Sequence, residues 1–519
     1  MKKNLFYVMA MVVISGCASV SEPVSSETTS LPDVMTPTAY RLDYQTLRRA
    51  QGYASATPAT GNVPILVIPV TFSDYPCRVL TGGCAGVRSD IEAAFFGEPA
   101  ETGWHSVSSF YGLSSYGQLE FEGEVSEWYE AEVPAMSLLL RNEHSVAAEI
   151  MRPAVTWYRE HHLDDMTRFD GDGDGYIDAL YFVYSVPAHD HDEVFLDEER
   201  VFWAYTSFDN AGVADVNRPG VYHYGWSSYD FMYKDGYYDR DEQGRLLRDE
   251  NDELVFHPWT DEYGKLLIDA HTYIHEIGHF LGLVDYYSYD ADRGDWGPCG
   301  ALDMMDYNVG DHGAFSKALL GWLQPKVING EATFSLAPSV AEPEAAIVPI
   351  HYDERLLDEY LLIEYYRPDS LNQKDAAQPF AGYYPRQFSQ AGIKLYHIDA
   401  RPGRFVQRAG QWRFQDYVDR VENRTASVYY GLANSNSAGR SGVPYHKLIQ
   451  LLEPNGRNSL KHGYVATNGS LFEAGEAFDE GNYPNFSFND GDLFPYTITI
   501  DAVDGHEATI TVALREAHS

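Results

Sequence analysis

Hydrophobic positions recur with two different periods along the first 330 residues. Val63–Phe72 is a continuous apolar run typical of a buried strand. Gln118–Val125 alternates as a half-buried strand does, and Ile177–Tyr184 indicates a third strand. Apolar residues at helical spacing predict helices over 88–97, 105–115 and 144–162. Interleaved strands and helices predict an α/β layer arrangement.

The pattern changes after about residue 330. Short alternating segments separated by Gly, Asn and Pro then dominate, which predicts a β-rich C-terminal domain, sandwich-like, over 331–519. The α/β domain is expected at 61–330. Residues 18–60 are rich in Ser, Thr, Pro and Ala and are interpreted as a tether or a short pro-segment.

The first 17 residues are interpreted as a targeting signal, which is not part of the fold. Lys2 and Lys3 precede a short apolar run, Leu5–Ile14, which ends before Cys17. This pattern is similar to a bacterial lipoprotein signal, in which the cysteine becomes the lipidated first residue. Ala18 follows it, and the resemblance then implies sorting to the outer membrane or cell surface. The alternative is an ordinary secretory signal, and both place the protein outside the cytoplasm.

Charge and cysteine content narrow the possible partners. The 519 residues contain 37 Lys and Arg against 77 Asp and Glu, a formal net charge of −40. Such a surface repels nucleic acid and offers many carboxylates to hard cations. An oxidising compartment would favour a disulfide between Cys77 and Cys84, and Cys299 is expected to be a small buried residue.

The segment from Asp269 to Asp285 carries the most specific chemical pattern. His275 and His279 lie four residues apart, so on a helix both project from one face and can bind one zinc ion. Glu276 lies beside them and can reach a zinc-bound water without joining the coordination. The pattern therefore predicts zinc as the cofactor and Glu276 as the general base that activates this water.

A catalytic zinc needs a third protein ligand and one open position. Gly282 can end the helix in the left-handed conformation, which lets the chain reverse and bring Asp285 to the metal. Asp290 and Asp292 are rival ligands, but neither has the matching spacing. His271, one turn before His275, is expected to be a packed or capping residue.

This extended motif, with Asp285 in place of a third histidine, resembles that of the immune inhibitor A family of secreted metallopeptidases, relatives of the metzincins. The resemblance covers most of the mature chain and implies a zincin-like catalytic domain. Further stretches that carry it are Ser106–Leu119, Leu302–Asn308, Phe315–Leu323, Glu359–Glu364 and Gly392–Asp399. Leu302 and Asp306 depart from the family's usual pattern.

The same resemblance implies roles for two residues near the metal. Met305 aligns with the methionine of the family's Met-turn, where it forms a soft apolar floor below the ligands. Tyr307 follows at the Met-x-Tyr position of several metzincin families, where a hydroxyl stabilises the oxyanion. The alternative for Tyr307 is an ordinary half-buried tyrosine, one of 39 in the chain.

A second acidic motif precedes the predicted strand at 177–184. Asp170, Asp172, Asp174 and Asp178 are interleaved with glycines, as in loops that wrap carboxylates around calcium. Tyr181 stands where an EF-hand would have its bidentate glutamate, so a complete EF-hand is not expected. The resemblance also implies bound calcium. The alternative is a polar turn that leads into the strand.

Together these patterns predict a monomeric zinc endopeptidase that acts on extracellular proteins or peptides and contacts a membrane only through a lipid anchor at Cys17. Two alternatives stay open. One is a lipoprotein adhesin with structural metals, which would leave Glu276 unexplained. The other is a metal-dependent hydrolase of a non-peptide bond, which nothing in the motif excludes.

Overall fold

The computed structural model describes residues 32–100, 102–139, 141, 143–162, 166–188, 201–234, 236–239, 246–260, 264, 266–289, 297–382, 384–437 and 446–515. The predicted signal at 1–17, its Cys17 and the first part of the predicted tether lie outside the described residues.

The strands and helices are numbered here in chain order. The strands are β1 (Val34–Met35), β2 (Gly61–Thr71), β3 (Leu119–Val125), β4 (Tyr129–Glu130), β5 (Ala179–Tyr184), β6 (Tyr205–Phe208), β7 (His223–Ser228), β8 (Gly236–Tyr238), β9 (Phe256–Pro258), β10 (Lys326–Ile328), β11 (Ala332–Leu336), β12 (Ala346–Val348), β13 (Glu359–Tyr366), β14 (Gly392–Asp399), β15 (Pro402–Arg408), β16 (Gln411–Tyr417), β17 (Val428–Leu432), β18 (Ile449–Leu452), β19 (Ala477–Phe478), β20 (Tyr496–Val503) and β21 (Ala508–Leu514). The α-helices are α1 (Tyr44–Ala50), α2 (Gly83–Phe96), α3 (Val107–Ser114), α4 (Glu143–Val146), α5 (Arg152–His162), α6 (His271–Phe280), α7 (Met304–Tyr307), α8 (Ala314–Leu319) and α9 (Gln373–Ala377).

The predicted apolar run at 63–72 becomes β2, which lies inside a mostly parallel sheet of order β3-β2-β5-β7-β6. Strands β3, β5 and β7 run parallel to their neighbours, whereas β6 pairs antiparallel with β7 at one edge. The strands predicted at 118–125 and 177–184 are confirmed as β3 and β5.

Both faces of this sheet are covered, because successive side chains of a strand point to opposite sides. Ile65 and Val67 join a large core that includes residues of α2, α3 and α6. Leu66 and Ile68 face the other way, into a core that includes residues of α5. Burial on both sides explains why β2 is apolar at nearly every position.

The helices predicted from apolar spacing are confirmed. The pattern at 88–97 falls in α2, and the pattern at 105–115 corresponds to α3, which Ser106 starts with a capping box. The pattern at 144–162 corresponds to α4 and α5 joined by a π-helical turn, Ala147–Met151. The prediction of a mixed α/β architecture with a β-rich C-terminal part is thereby confirmed in its coarse form.

The β-rich part contains two sheets that pack against each other and a third, three-stranded sheet of order β16-β15-β17. Of the first two, one has the order β1-β10-β12-β13-β14-β18 and the other the order β11-β21-β20-β19. Leu361 and Ile363 of β13 pack into the core between them. Leu362, on the opposite face of β13, belongs to the same core as residues of helix α6. The apolar interior therefore continues across residue 330. Just before that position, β10 already belongs to the six-stranded sheet of the β-rich part.

A free tether does not describe residues 33–60, so this part of the N-terminal interpretation needs correction. Val34 and Met35 pair with Ile328 and Val327 of β10, and α1 follows. The chain from Asp33 onward forms one compact unit. The segment packs because Leu42, Tyr44 and Leu47 supply apolar side chains to the main core.

The cysteines behave as expected. Cys77 and Cys84 form a disulfide, and Cys299 is a buried free thiol. Over the described part of the chain, no helix combines the length and apolar character needed to cross a membrane.

Candidate metal centre and active-site cleft

Helix α6 carries the His-Glu-x-x-His motif and is buried along nearly its whole length. The ring centroids of His275 and His279 lie 4.9 Å apart, and the angle between the two ring planes is 87°. One turn of helix separates them, so both side chains emerge on the same face, as the spacing predicts.

Backbone carbonyls orient both imidazoles. Nδ1 of His275 donates to the carbonyl of Met304 at 2.8 Å, and Nδ1 of His279 donates to the carbonyl of Leu283 at 2.9 Å. A carbonyl only accepts hydrogen bonds, so each Nδ1 carries the proton. The Nε2 atoms are then the ones available to a metal ion. In metal-binding histidines the other ring nitrogen commonly donates a hydrogen bond that fixes the ring in this way.

The chain reverses immediately after α6 through a Schellman turn. Gly282 has a φ of +99°, Leu283 N donates to Gly278 O at 3.0 Å, and Gly282 N donates to His279 O at 2.9 Å. This turn returns Asp285 to the histidines. Its Oδ1 lies 3.1 Å from Nε2 of His275 and 3.4 Å from Nε2 of His279.

These three side chains form a set of donors that could hold one metal ion. One ligand atom from each of His275, His279 and Asp285 lies within 4.8 Å of the others. The rival ligands Asp290 and Asp292 lie outside the described residues. Two neutral imidazoles and one carboxylate suit zinc and leave room for a fourth ligand.

The charges of the set are balanced internally in this geometry. Burial would lower the pKa of His279, but the Asp285 carboxylate raises that pKa to about 9. Burial would raise the pKa of Asp285, but the cationic His279 and the hydrogen bonds of the histidines hold that pKa well below its usual range. A divalent cation would replace the proton of His279 as the partner of Asp285.

Glu276 lies in the same cleft as these three donor groups. Its side chain is buried and lines the same cleft, and its Oε2 has no hydrogen-bond partner in the described part of the chain. Burial raises the pKa of Glu276, although His279 and His275 oppose the shift. A buried carboxylate oxygen without a partner is costly, so Oε2 of Glu276 is able to accept a hydrogen bond from a ligand in the cleft.

Met305 packs below the motif, as the sequence predicts. It is fully buried in α7, and a Cβ atom built on Gly278 would lie 2.6 Å from its Sδ. The glycine inside the motif is therefore required for helix α6 to approach Met305 closely. Asp306, which departs from the family pattern, lines the cleft; burial raises the pKa of its carboxyl group to about 8.

The cleft above the histidines has a volume of about 580 Å³ and a largely aromatic wall. Tyr307 is part of this wall and is 36% exposed. The sequence pattern did not single out Trp203, Phe231 and Tyr384, which reach the cleft from distant parts of the chain. It also missed Tyr289, whose hydroxyl donates to Oδ2 of Asp285. The only signal for Tyr289 was its position four residues after Asp285.

The acidic loop before β5 brings three of its four predicted ligands together. Carboxylate oxygens of Asp170, Asp172 and Asp174 lie within 4.8 Å of one another. Asp178 lies outside this set. Its Oδ2 accepts from Gly171 N at 2.8 Å and closes the loop, and burial followed by the charge of Asp172 raises its pKa to about 7. Crowded carboxylates with little compensating charge favour a hard divalent cation.

His271 closes the N-terminal end of α6 in a buried ionic network. Its Nδ1 lies 2.8 Å from Asp269 Oδ2, and its Nε2 lies 3.1 Å from Asp375 Oδ2. The imidazole is stacked between Trp104 and Phe380, with centroids at 3.8 and 4.1 Å. Burial would lower the pKa of His271, but the two carboxylates raise it to about 9, so the ring is an imidazolium.

No protein-family model matches the chain.

We predict that His271 stabilises the protein in a pH-dependent way. Its folded pKa of about 9 lies above the unfolded value of about 6.5, so its stabilisation is complete below about pH 6.5 and is lost as the pH rises through 9. His271→Gln should lower the free energy of unfolding by up to about 3 kcal/mol at about pH 6 and by much less at about pH 9.5, measured by urea denaturation.

His351→Gln is the matched control, because the His351 side chain is 83% exposed. It should leave the unfolding free energy almost unchanged at both pH values. A loss in His271→Gln that does not vary with pH would contradict the imidazolium assignment.

We predict that calcium stabilises the loop at 170–178. Adding calcium to metal-free protein should raise the melting temperature, since a ligand at about 100 times its Kd stabilises the folded state by about 2.7 kcal/mol. The double variant Asp172→Asn, Asp174→Asn should lose this response, whereas Asp490→Asn, in another Asp-Gly-Asp turn, should keep it. The melting temperatures are measured by calorimetry. If calcium raised them equally in the wild type, the double variant and Asp490→Asn, a calcium site in this loop would be ruled out.

Proposed function

We propose that the protein is a zinc-dependent endopeptidase of extracellular proteins, with His275, His279 and Asp285 as metal ligands and Glu276 as general base. The observation that carries the proposal is the convergence of the three donor groups within 4.8 Å beside a buried glutamate oxygen that has no partner in the described chain. Donors and base line one cleft, which is the arrangement that hydrolysis by a metal-activated water requires.

The residues of the chain divide the reaction between them. A zinc ion bound to the three donors would act as a Lewis acid toward the peptide carbonyl and toward a water molecule. Glu276 would take the proton of the attacking water on Oε2 and later give it to the leaving amine. Tyr307, on the wall of the same cleft, would donate a hydrogen bond from its hydroxyl to the oxygen that becomes negative in the transition state.

The strand at the edge of the cleft favours a peptide over a substrate that contains another kind of bond. Strand β6 ends the order β3-β2-β5-β7-β6, and Tyr205 and Thr206 of this strand line the cleft. Among the described residues β6 pairs antiparallel with β7, which places it at one end of this sheet. Peptides bind sheet edges through main-chain hydrogen bonds, which a non-peptide ester would not provide.

A purely structural metal site fits these residues less well. Structural zinc sites are closed by four protein ligands, whereas three donors converge here on an open cleft. An adhesin would also give no role to Oε2 of Glu276, which has no hydrogen-bond partner among the described residues.

We extend the proposal to family and location. Met305 below the motif and the parallel sheet behind α6 are consistent with a zincin-like catalytic domain over 61–330 and with the resemblance to the immune inhibitor A family. The Cys77–Cys84 disulfide is consistent with an oxidising compartment. Labelled palmitate should be incorporated through Cys17, and a Cys17→Ser variant that still takes up the label would refute the anchor.

Glu276→Gln tests the catalytic assignment. The variant should bind zinc as the wild type does but cleave casein about 10²- to 10⁴-fold more slowly, because only the general base is removed. Zinc content and initial cleavage rates are measured on the same protein samples, before and after treatment with a zinc chelator.

Two variants in the same assay separate binding from chemistry. Asp285→Asn should weaken zinc binding by more than about 100-fold, since even an outer-shell partner contributes about 10- to 100-fold. Tyr307→Phe should keep zinc and KM but lower kcat by about 100-fold. A wild-type protein that holds zinc yet cleaves no protein or peptide in a broad panel would sink the endopeptidase proposal.

A further inference from the structure

Helix α1, in the segment interpreted from sequence as a tether or pro-segment, lies at the C-terminal end of the active-site helix. Asp43 starts the helix by accepting from Thr46 N at 2.5 Å. Tyr44, Leu47 and Arg48 are buried, whereas Arg49 is exposed. Two adjacent arginines on this helix therefore occupy opposite environments.

Arg48 caps helix α6. Its guanidinium donates to Leu281 O at 2.5 Å and to Phe280 O at 3.2 Å, and its side chain is almost fully buried. The last carbonyls of a helix have no partner within the helix and carry partial negative charge, so a cation is favourable there. Among the described residues, the hydrogen bonds of the Arg48 guanidinium go to these two carbonyls at the end of the helix.

The same contact occupies the space over Gly282. A Cβ atom on Gly282 would lie 2.3 Å from Nε of Arg48. Tyr44 adds a hydrogen bond from its hydroxyl to Gly282 O at 2.6 Å. Gly282 is thus required for its positive φ and also for the close approach of Arg48. This turn lies between two metal ligands, three residues after His279 and three residues before Asp285.

The segment is also held from its other side. Val34 pairs with Ile328 of β10, and Arg41 N donates to Glu354 O at 2.8 Å. At the end of α1, Arg424 N donates to Ala50 O at 3.0 Å. Residues 34–50 are therefore fixed between the β-rich part and the turn that delivers Asp285.

We propose that residues 43–50 are a permanent part of the metal centre, with Arg48 as a positioning residue for Asp285, so that any maturation cut falls before Asp43. Loss of the segment would leave the carbonyls of Phe280 and Leu281 without their donor and open a hole over Gly282. The inference rests on the proposed zinc site, and it excludes removal of the whole stretch up to residue 60 as a pro-segment.

The test compares Arg48→Ala with Arg49→Ala in the otherwise complete protein. Zinc affinity is measured by competition with a chromophoric chelator, and ligand geometry by the visible spectrum of the cobalt-substituted protein. Arg48→Ala should bind zinc roughly tenfold more weakly and change the cobalt spectrum, as expected for loss of an outer-shell support. Arg49→Ala should match the wild type, and Arg48→Lys should recover part of the affinity because one ammonium can still cap the helix.

Hydrogen exchange distinguishes a local effect from a general loss of folding. Arg48→Ala should exchange faster at residues 278–285 and should match the wild type in β13 and β14. If Arg48→Ala fails to fold, Arg48→Lys decides the question by the same measurements. N-terminal sequencing of the protein recovered from cells should give a mature chain that still contains Asp43.

Three results would overturn the inference: zinc affinity, cobalt spectrum and exchange in Arg48→Ala that equal those of Arg49→Ala; a natural mature chain that begins after Asp43; or a wild-type protein that binds no zinc. The last result would also end the proposed function. A wild-type protein that binds zinc but cleaves no peptide would refute the proposed function alone, because the Arg48 comparison depends on metal binding and not on cleavage.

Discussion

The helix that carries His275, Glu276 and His279 is buried along nearly its whole length, so both of its ends must be satisfied inside the protein. At the C-terminal end the guanidinium of Arg48 meets the free carbonyls. At the N-terminal end Asp269 accepts from the backbone N–H of His271, and the His271 imidazolium is paired in turn. The positions of His275, His279 and Asp285 depend on these two charged contacts, because the contacts hold both ends of the helix in place.

Asp285 and Asp306, which both line the cleft, show how the surroundings of a carboxyl group set its charge. Asp285 faces two histidines, which keep it ionised, whereas burial raises the pKa of Asp306 to about 8. Both line one cleft in a protein with a net charge of −40. Two carboxyl groups in the wall of one cleft therefore differ in the charge state that their surroundings favour.

Much of the fold and of the site could be predicted from local sequence patterns. The apolar run of β2, the helical spacing of α2 and the reversal at Gly282 depend on neighbouring residues, and each is present in the structure. Contacts made over long sequence distances were beyond such patterns. Nothing near His271 indicates that Asp375, 104 positions away, accepts from its ring. The composition of residues 33–60 suggested a tether, because Ser, Thr and Pro do not reveal that Tyr44 and Arg48 have partners at Gly282 and Leu281.

The apolar interior that continues across residue 330 has a consequence for how such a chain can change during evolution. Leu362 and Tyr396, on one face of the six-stranded sheet of the β-rich part, share a core with Ile274 and Ile277 of helix α6. An insertion or exchange of the β-rich half would have to preserve that buried surface, or the motif helix would lose part of its support. The two halves are thus expected to unfold cooperatively and to be inherited together, rather than to serve as interchangeable modules.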